Sequence, residues 1–238
     1  MAKILFGTSG WSYPDWKDVV YPKSEKDTLS YIMKYLDCVE INTTFYRIPK
    51  REYVDNWKKK ADNKDFSFII KANRIFTHEK EFNEKDVTDF LFSIEPLLPG
   101  SPILFQFPFF FKLSDDAMER LIRIADFFKD QSKILEIRSN TFDKPDVIEK
   151  LQNLGYTICL PDYPTSKTSF NNQSIISRDI AYFRLHGRNV EKWFSKNKDI
   201  KPYEKYNYLY SRDEENELSV KLKKISEEAK VLYVIANH

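Results

Sequence analysis

The sequence predicts an α/β protein: a (β/α)8 barrel of the TIM type, folded as a single domain over residues 1–238, with the helix after the last strand missing. Three observations predict it. Strand-like runs and helical patterns alternate, which calls for a parallel sheet. Eight such runs recur at about 30 residues per repeat, close to the length of a βα unit. Eight units within 238 residues fit closure into a barrel better than an open doubly wound sheet. No low-complexity linker divides the chain.

The strand-like runs are Lys3–Thr8, Cys38–Asn42, Phe66–Lys71, Pro102–Phe107, Ile134–Arg138, Tyr156–Leu160, Ile180–His186 and Val231–Asn237. Between the first two, Asp27 to Leu36 opens on Asp-Thr and places Leu29, Ile32, Met33 and Leu36 on one face, the spacing of an amphipathic helix. Lys50–Lys60 and Glu84–Leu97 are the next helices, the latter stopped by Pro99-Gly100. Ser114 caps a helix that has two acids in its first turn, with Met118, Leu121, Ile122, Ala125 and Phe128 at helical spacing. Pro145–Leu154 starts on proline and stops at Gly155. Pro164–Arg178 reads as loop, Glu214–Ala229 as a charged helix, and the last strand runs to Asn237-His238 with no helix behind it.

Composition excludes several classes. An apolar fraction of 42%, a charged fraction of 31% and a net charge of +2 fit a soluble globular chain and argue for neither nucleic acid nor membrane. No apolar run approaches membrane-spanning length. Cys38 and Cys159 are the two cysteines, each within a strand, so a disulfide framework is not expected and a reducing compartment is. Met1-Ala2-Lys3 leads straight into the first strand, without room for a signal peptide. The Asn42-Thr43-Thr44 and Asn172-Gln173-Ser174 sequons are read as chance, and the cytoplasm is the expected location.

The functional signal lies at the strand ends. Residues at i and i+2 share a face of a strand, and three apolar runs end on such polar pairs: Glu40 with Asn42, Glu136 with Arg138, and Arg184 with His186. Burying such groups is costly unless they are paired or do chemistry. Taken in order, the strands finish on Ser9, Glu40 and Asn42, Lys71, Gln106, Glu136 and Arg138, Asp162, Arg184 and His186, and Asn237 with His238. The opposite ends carry ordinary turn residues, and in barrels of this type the site forms at the C-terminal ends.

Lys71, Arg138, Arg184 and Arg188 gather cations in this mouth, and an arginine fork suits carboxylate or phosphate. Aromatic side chains follow the strands: Trp11, Tyr13 and Trp16; Phe45 and Tyr46; Phe107 and Phe109 to Phe111; and Trp193, Phe194, Tyr203, Tyr206, Tyr208 and Tyr210. Such rings suit stacking on a sugar or base. The phenylalanine stretch reads instead as core, and Tyr206–Tyr210 alternates as an extra strand would. His78, His186, His238, Glu136 and Asp162 are metal-ligand types without HxH, HExxH or CxxC spacing. The sequence therefore requires no cofactor, names no metal residues, and leaves a divalent metal open. Five glycines and no glycine-rich phosphate loop exclude the common nucleotide motifs.

The same segments resemble the YecE-like family (domain of unknown function 72), a group of (β/α)8 barrels. The resemblance is carried by Gly7-Thr8-Ser9-Gly10-Trp11 with Tyr13 and Trp16, and by Val39-Glu40-Ile41-Asn42-Thr43-Thr44-Phe45-Tyr46. It continues through Phe68, Lys71, Thr77-His78, Gln106-Phe107-Pro108, Glu136-Ile137-Arg138, Arg184-Leu185-His186-Gly187-Arg188 and Asn237-His238. It spans the whole chain and implies the barrel and a strand-end ring shared by the family, without an activity. Family members run on into a last helix, and they have been likened to the endonuclease IV barrel.

The first expectation is an enzyme (a hydrolase, lyase or isomerase) using acid–base chemistry on a small anionic, sugar- or nucleotide-like ligand. Glu40 or Glu136 is the expected base and His186 the proton carrier. Lys71, Arg138, Arg184 and Arg188 would hold the anion; Ser9, Asn42, Gln106, Asp162 and Asn237 would bind its polar groups; Trp11 and Tyr46 would stack. A second reading is a metal-dependent phosphodiesterase acting on nucleic acid approached along Lys192, Lys196, Lys198, Lys201 and Lys205. A third is a non-catalytic ligand-binding protein.

Overall fold

In the computed structural model, which describes residues 1–62, 64–98, 100–171, 179–195, 197 and 199–237, eight parallel strands close into one barrel in sequence order. They are β1 (Lys3–Ser9), β2 (Cys38–Ile41), β3 (Ser67–Lys71), β4 (Ile103–Gln106), β5 (Lys133–Glu136), β6 (Tyr156–Asp162), β7 (Ile180–Leu185) and β8 (Val231–Ala236). Closure joins β8 to β1, with Thr8 paired to Val39 on one side and Ala236 on the other.

The alternation of side chains builds two cores. Leu5, Cys38, Ile69, Leu104, Ile134, Cys159, Tyr182, Tyr233 and Ile235 point inward and fill the barrel with an apolar plug. The intervening residues, such as Val39, Ile41, Ile70, Phe105, Leu135 and Ile158, face outward onto the helices. Two residues beyond the plug on the inward face come Ser9 from Gly7, Glu40 from Cys38, Lys71 from Ile69, Gln106 from Leu104, Glu136 from Ile134 and Arg184 from Tyr182. One apolar layer thus sets a polar layer directly above it at the C-terminal ends.

The helices are α1 (Thr28–Ile32), α2 (Thr43–Tyr46), α3 (Arg51–Ala61), α4 (Arg74–Thr77), α5 (Glu84–Ile94), α6 (Asp115–Phe127), α7 (Pro145–Asn153), α8 (Val190–Trp193) and α9 (Arg212–Glu228). Their starts follow side-chain caps: Asp27 on Ser30 N, Ser114 on Ala117 N, and Ser211 on Glu214 N. α1 is shorter than the apolar spacing predicts. After Ile32 the chain tightens into turns, Lys34 N bonding Tyr31 O and Tyr35 N bonding Ile32 O. α5 stops at Ile94 because Pro96 sits in the following 3-10 turn, Glu95–Leu97, and has no N–H to continue an α-helix.

Tyr206–Tyr210 forms no strand, and residues 164–171 are loop, as expected. The Asn172-Gln173-Ser174 sequon lies outside the described residues. Cys38 and Cys159 are buried free thiols. Phe107 and Phe111 stack at 4.0 Å, as core residues do, while Phe109 and Phe110 are exposed. No helix among the described residues is long and apolar enough to cross a membrane. β8 is the last described element, and the outer face over β8 and β1 is an open apolar groove that leaves Ile4 and Phe6 exposed beside α9.

Gly7 explains one of the glycines in the first-strand motif. A Cβ there would lie 2.2 Å from Cys38 O and 2.6 Å from Cys38 Sγ, its partner across the ladder. Backbone cannot yield that distance cheaply, so Gly7→Ala is expected to destabilise the barrel by about 1–3 kcal/mol. The check is urea unfolding: an unchanged midpoint would mean β1 shifts freely against β2.

Candidate functional site

The polar layer is an ion network centred on Arg184, one of the largest fully buried side chains. Its Nη2 donates to Glu40 Oε1 at 2.8 Å, and its Nη1 donates to Glu136 Oε2 and, at 3.2 Å, to Gln106 Oε1. Glu40 also accepts from Ser9 Oγ at 2.9 Å and Tyr182 Oη at 2.6 Å. Asn42 Nδ2 donates to Ser9 Oγ in turn. Arg138 reaches back to Glu136 Oε1 with Nε at 3.0 Å. Both carboxylates are buried, so every one of these bonds replaces lost hydration.

Electrostatics follow from that pairing. Burial opposes ionisation of Glu136, but Arg184 and then Arg138 outweigh it and hold its carboxyl well below the usual range. His186 is enclosed by the rings of Tyr163, Trp193 and Tyr206 at 5.7–6.1 Å between centroids. Burial pushes it down to about 4, against the pull of Glu136, so it is neutral at physiological pH. Asn237 Nδ2 donates to its Nδ1 at 2.9 Å, which puts the imidazole proton on Nε2, 3.4 Å from Glu136 Oε1 without an aligned hydrogen bond.

Above this floor opens a cavity of about 610 Å³, walled by Asn42, Lys71, His78, Gln106 and Asn237 with the rings of Trp11, Tyr46 and Tyr206. Lys71 Nζ lies 4.7 Å from the Phe45 ring centre. Among the described residues no carboxylate lines this cavity. Gln106 uses its carbonyl on Arg184, leaving its amide hydrogens for a ligand, while Asn42 Oδ1 is buried without a partner. Burial and the Arg184 charge lower Lys71 to about 8, and burial with the Lys71 charge lowers His78 to about 4.

Tyr206 also lines a second cavity of about 510 Å³, in which Arg138 and Lys205 face Ser166, Thr168 and Ser169 beneath Trp193 and Tyr163. It too has no carboxylate among its described lining residues. Arg138 lies over the Trp193 ring at 5.6 Å, and its Nη2 lacks an aligned acceptor.

The structure therefore brings Ser9, Glu40, Asn42, Lys71, Gln106, Glu136, Arg138, Arg184, His186 and Asn237 together, with Trp11 and Tyr46 on the rim. It does not bring in Asp162 and Arg188. Along β6 Cys159 points inward, so Asp162 points outward, where it binds Arg188 at 2.8 Å and Tyr210 Oη at 2.9 Å. Arg188 completes that outer cluster through Glu217. His238 lies outside the described residues. Lys192 is paired with Glu204 at 3.1 Å, and Lys196 and Lys198 lie outside the described residues. Among the described residues no three His, Cys, Asp or Glu side chains are grouped to hold a metal ion.

Sequence reasoning missed Tyr182 and Tyr163. Tyr182 was detectable, since it stands two residues before Arg184 on the same face. Tyr163 was not, because the loop after β6 carries no periodic signal.

Relatives share this architecture. A DUF72 family protein from Thermotoga maritima MSB8 is 31% identical, with a TM-score of 0.85 over 99% of this chain and 92% of that one. One from Enterococcus faecalis V583 is 26% identical, with a TM-score of 0.84 over 98% of this chain and 88% of that one. D-psicose 3-epimerase, at 10% identity and a TM-score of 0.53, shares the fold alone. The UPF0759 protein YecE of Escherichia coli K12 is 33% identical over 98 residues, which is 40% of this chain and 34% of the relative, so the match spans about a third of that protein's length. The family model described as "Protein of unknown function DUF72" matches residues 5–238, and the chain belongs to that family.

Proposed function

We propose that the protein is an enzyme that carries out acid–base chemistry on a small anionic, hydroxyl-bearing ligand in the strand-end mouth. One observation carries this reading: two adjoining cavities present Lys71, Arg138 and Lys205 with neutral hydrogen-bonding groups, and no described carboxylate lines either. Arg138 is paired with Glu136 beneath the cavities, but Lys71 and Lys205 have no ion pair among the described residues. Cations in a half-enclosed space without a lining carboxylate favour a ligand that brings negative charge.

The second cavity suits the anionic group, with Arg138 and Lys205 as charges and the Ser166, Thr168 and Ser169 hydroxyls as donors. The first suits the polar body of the ligand: Gln106 donates, and Trp11 and Tyr46 cover it. Glu40 and Glu136 act from beneath as fixed negative charges that hold the arginines in position. The groups that exchange protons with the ligand are Lys71 and the neutral His78. Free buried thiols support work in a reducing compartment, the cytoplasm.

Calorimetric titration with inorganic phosphate tests the reading. Binding is expected in the wild type and is expected to weaken about tenfold, or 1.4 kcal/mol, in the double variant Lys205→Met/Thr168→Val. No heat of binding in the wild type, or equal affinity in the variant, would remove the anion from the reading.

A further inference from the structure

We propose that Lys71 is a catalytic nucleophile whose side-chain amine forms a Schiff base with an aldehyde or ketone carbon of the ligand. The inference rests on the mouth being a ligand site and adds a carbonyl group to the substrate class.

Geometry singles Lys71 out. It ends β3 on the inward face, and its Nζ enters the 610 Å³ cavity. Among the described residues Nζ has neither an ion pair nor a hydrogen bond; its neighbour is the face of Phe45 at 4.7 Å. The two carboxylates of the ring are occupied by Arg184, Arg138, Ser9 and Tyr182. A lysine placed only to hold an anion would gain from surroundings that favour its charge. Here burial and two cations, Arg184 from β7 and Arg138 after β5, act against it. Glu40 of β2 and Glu136 of β5 offset them in part, and His78 after α4 stays neutral. The result, about 8, leaves a working share of free amine at neutral pH, the condition an amine nucleophile needs.

The step balances without an external oxidant or reductant. The neutral Nζ donates its lone pair to the carbonyl carbon, and the C=O π pair moves onto oxygen, which takes up a proton as nitrogen loses one. Protonation of that hydroxyl then expels water while the nitrogen lone pair closes the C=N bond. His78, its imidazole 4.9 Å from Phe45 in the same cavity, is placed to accept and return the proton. The Gln106 amide is placed to steady the developing oxyanion.

Reductive trapping tests this. The wild-type protein is treated with limiting glycolaldehyde and sodium cyanoborohydride at pH 7, then digested and mapped by mass spectrometry. Lys71 is expected to be labelled at least about tenfold faster than the average exposed lysine, because an ordinary lysine near 10.4 holds far less free amine. Its rate is expected to rise with pH toward a midpoint near 8. The Lys71→Met variant should lose that label and be at least as stable as the wild type, since an unpaired, half-buried ammonium is removed. Labelling spread evenly over lysines, or absent at Lys71, overturns the inference. If phosphate still binds in that case, the anion reading stands without it; if wild-type protein binds no phosphate yet Lys71 labels first, the anion reading alone falls.

Discussion

Arg184→Met is expected to destabilise the protein by about 3–5 kcal/mol at pH 7, the range seen when one partner is removed from a buried ion network. The guanidinium serves both Glu40 and Glu136, and neither carboxylate has water to fall back on. Glu136 keeps Arg138; Glu40 keeps the Ser9 and Tyr182 hydroxyls and pairs with no other cation among the described residues. A loss of that size is a large part of the about 5–15 kcal/mol that holds an ordinary domain. Urea unfolding at pH 7 measures it. The triple variant Arg184→Met/Glu40→Gln/Glu136→Gln is expected to regain more than half, because the cost lies in the stranded charges rather than in the lost bonds. A loss below about 1 kcal/mol would match a solvated ion pair and would mean that water enters the polar layer.

This network shows how far the sequence could be read. Strand ends were legible because alternation is a rigid rule: a polar residue two positions beyond an inward apolar one faces inward as well. Glu40, Glu136 and Arg184 obey it, and the barrel carries them to one centre. Asp162 looked equivalent as a polar strand ending, yet it stands an odd number of residues from Cys159 and points away. Counting parity from the inward cysteine would have placed it outside. What no parity rule gives is who pairs with whom across the barrel. That Arg184 of β7 would satisfy β2 and β5 together depends on barrel diameter and side-chain length. Its consequence, that Glu40 and Glu136 become a floor while Lys71 and His78 reach the cavity, is a three-dimensional fact. Helix ends were blurred for a simpler reason: Met33–Leu36 keeps helical spacing while its backbone has already turned.

Acid is expected to unfold the protein in two stages, the first of them set by histidine. His186 is neutral when folded, with burial pushing it to about 4 against about 6.5 in an unfolded chain. Between those values the unfolded chain binds a proton that the native protein refuses. Stability from this group is therefore fully present above pH 6.5 and is lost as pH falls toward 4, by roughly 3 kcal/mol in total. His78 acts in the same direction, also lowered to about 4, but is only half-buried and contributes less. The second stage belongs to Glu136. Its folded carboxyl titrates well below the usual range, so its contribution is present above about 4.3 and fades as pH falls further. Urea midpoints measured from pH 8 to pH 3 separate the two. The His186→Asn variant is expected to flatten the slope between pH 6.5 and 4, whatever its stability at pH 7, while leaving the steeper loss below pH 4 in place. An unchanged slope in that variant would show that the imidazole is hydrated and that the aromatic enclosure of Tyr163, Trp193 and Tyr206 is open to water.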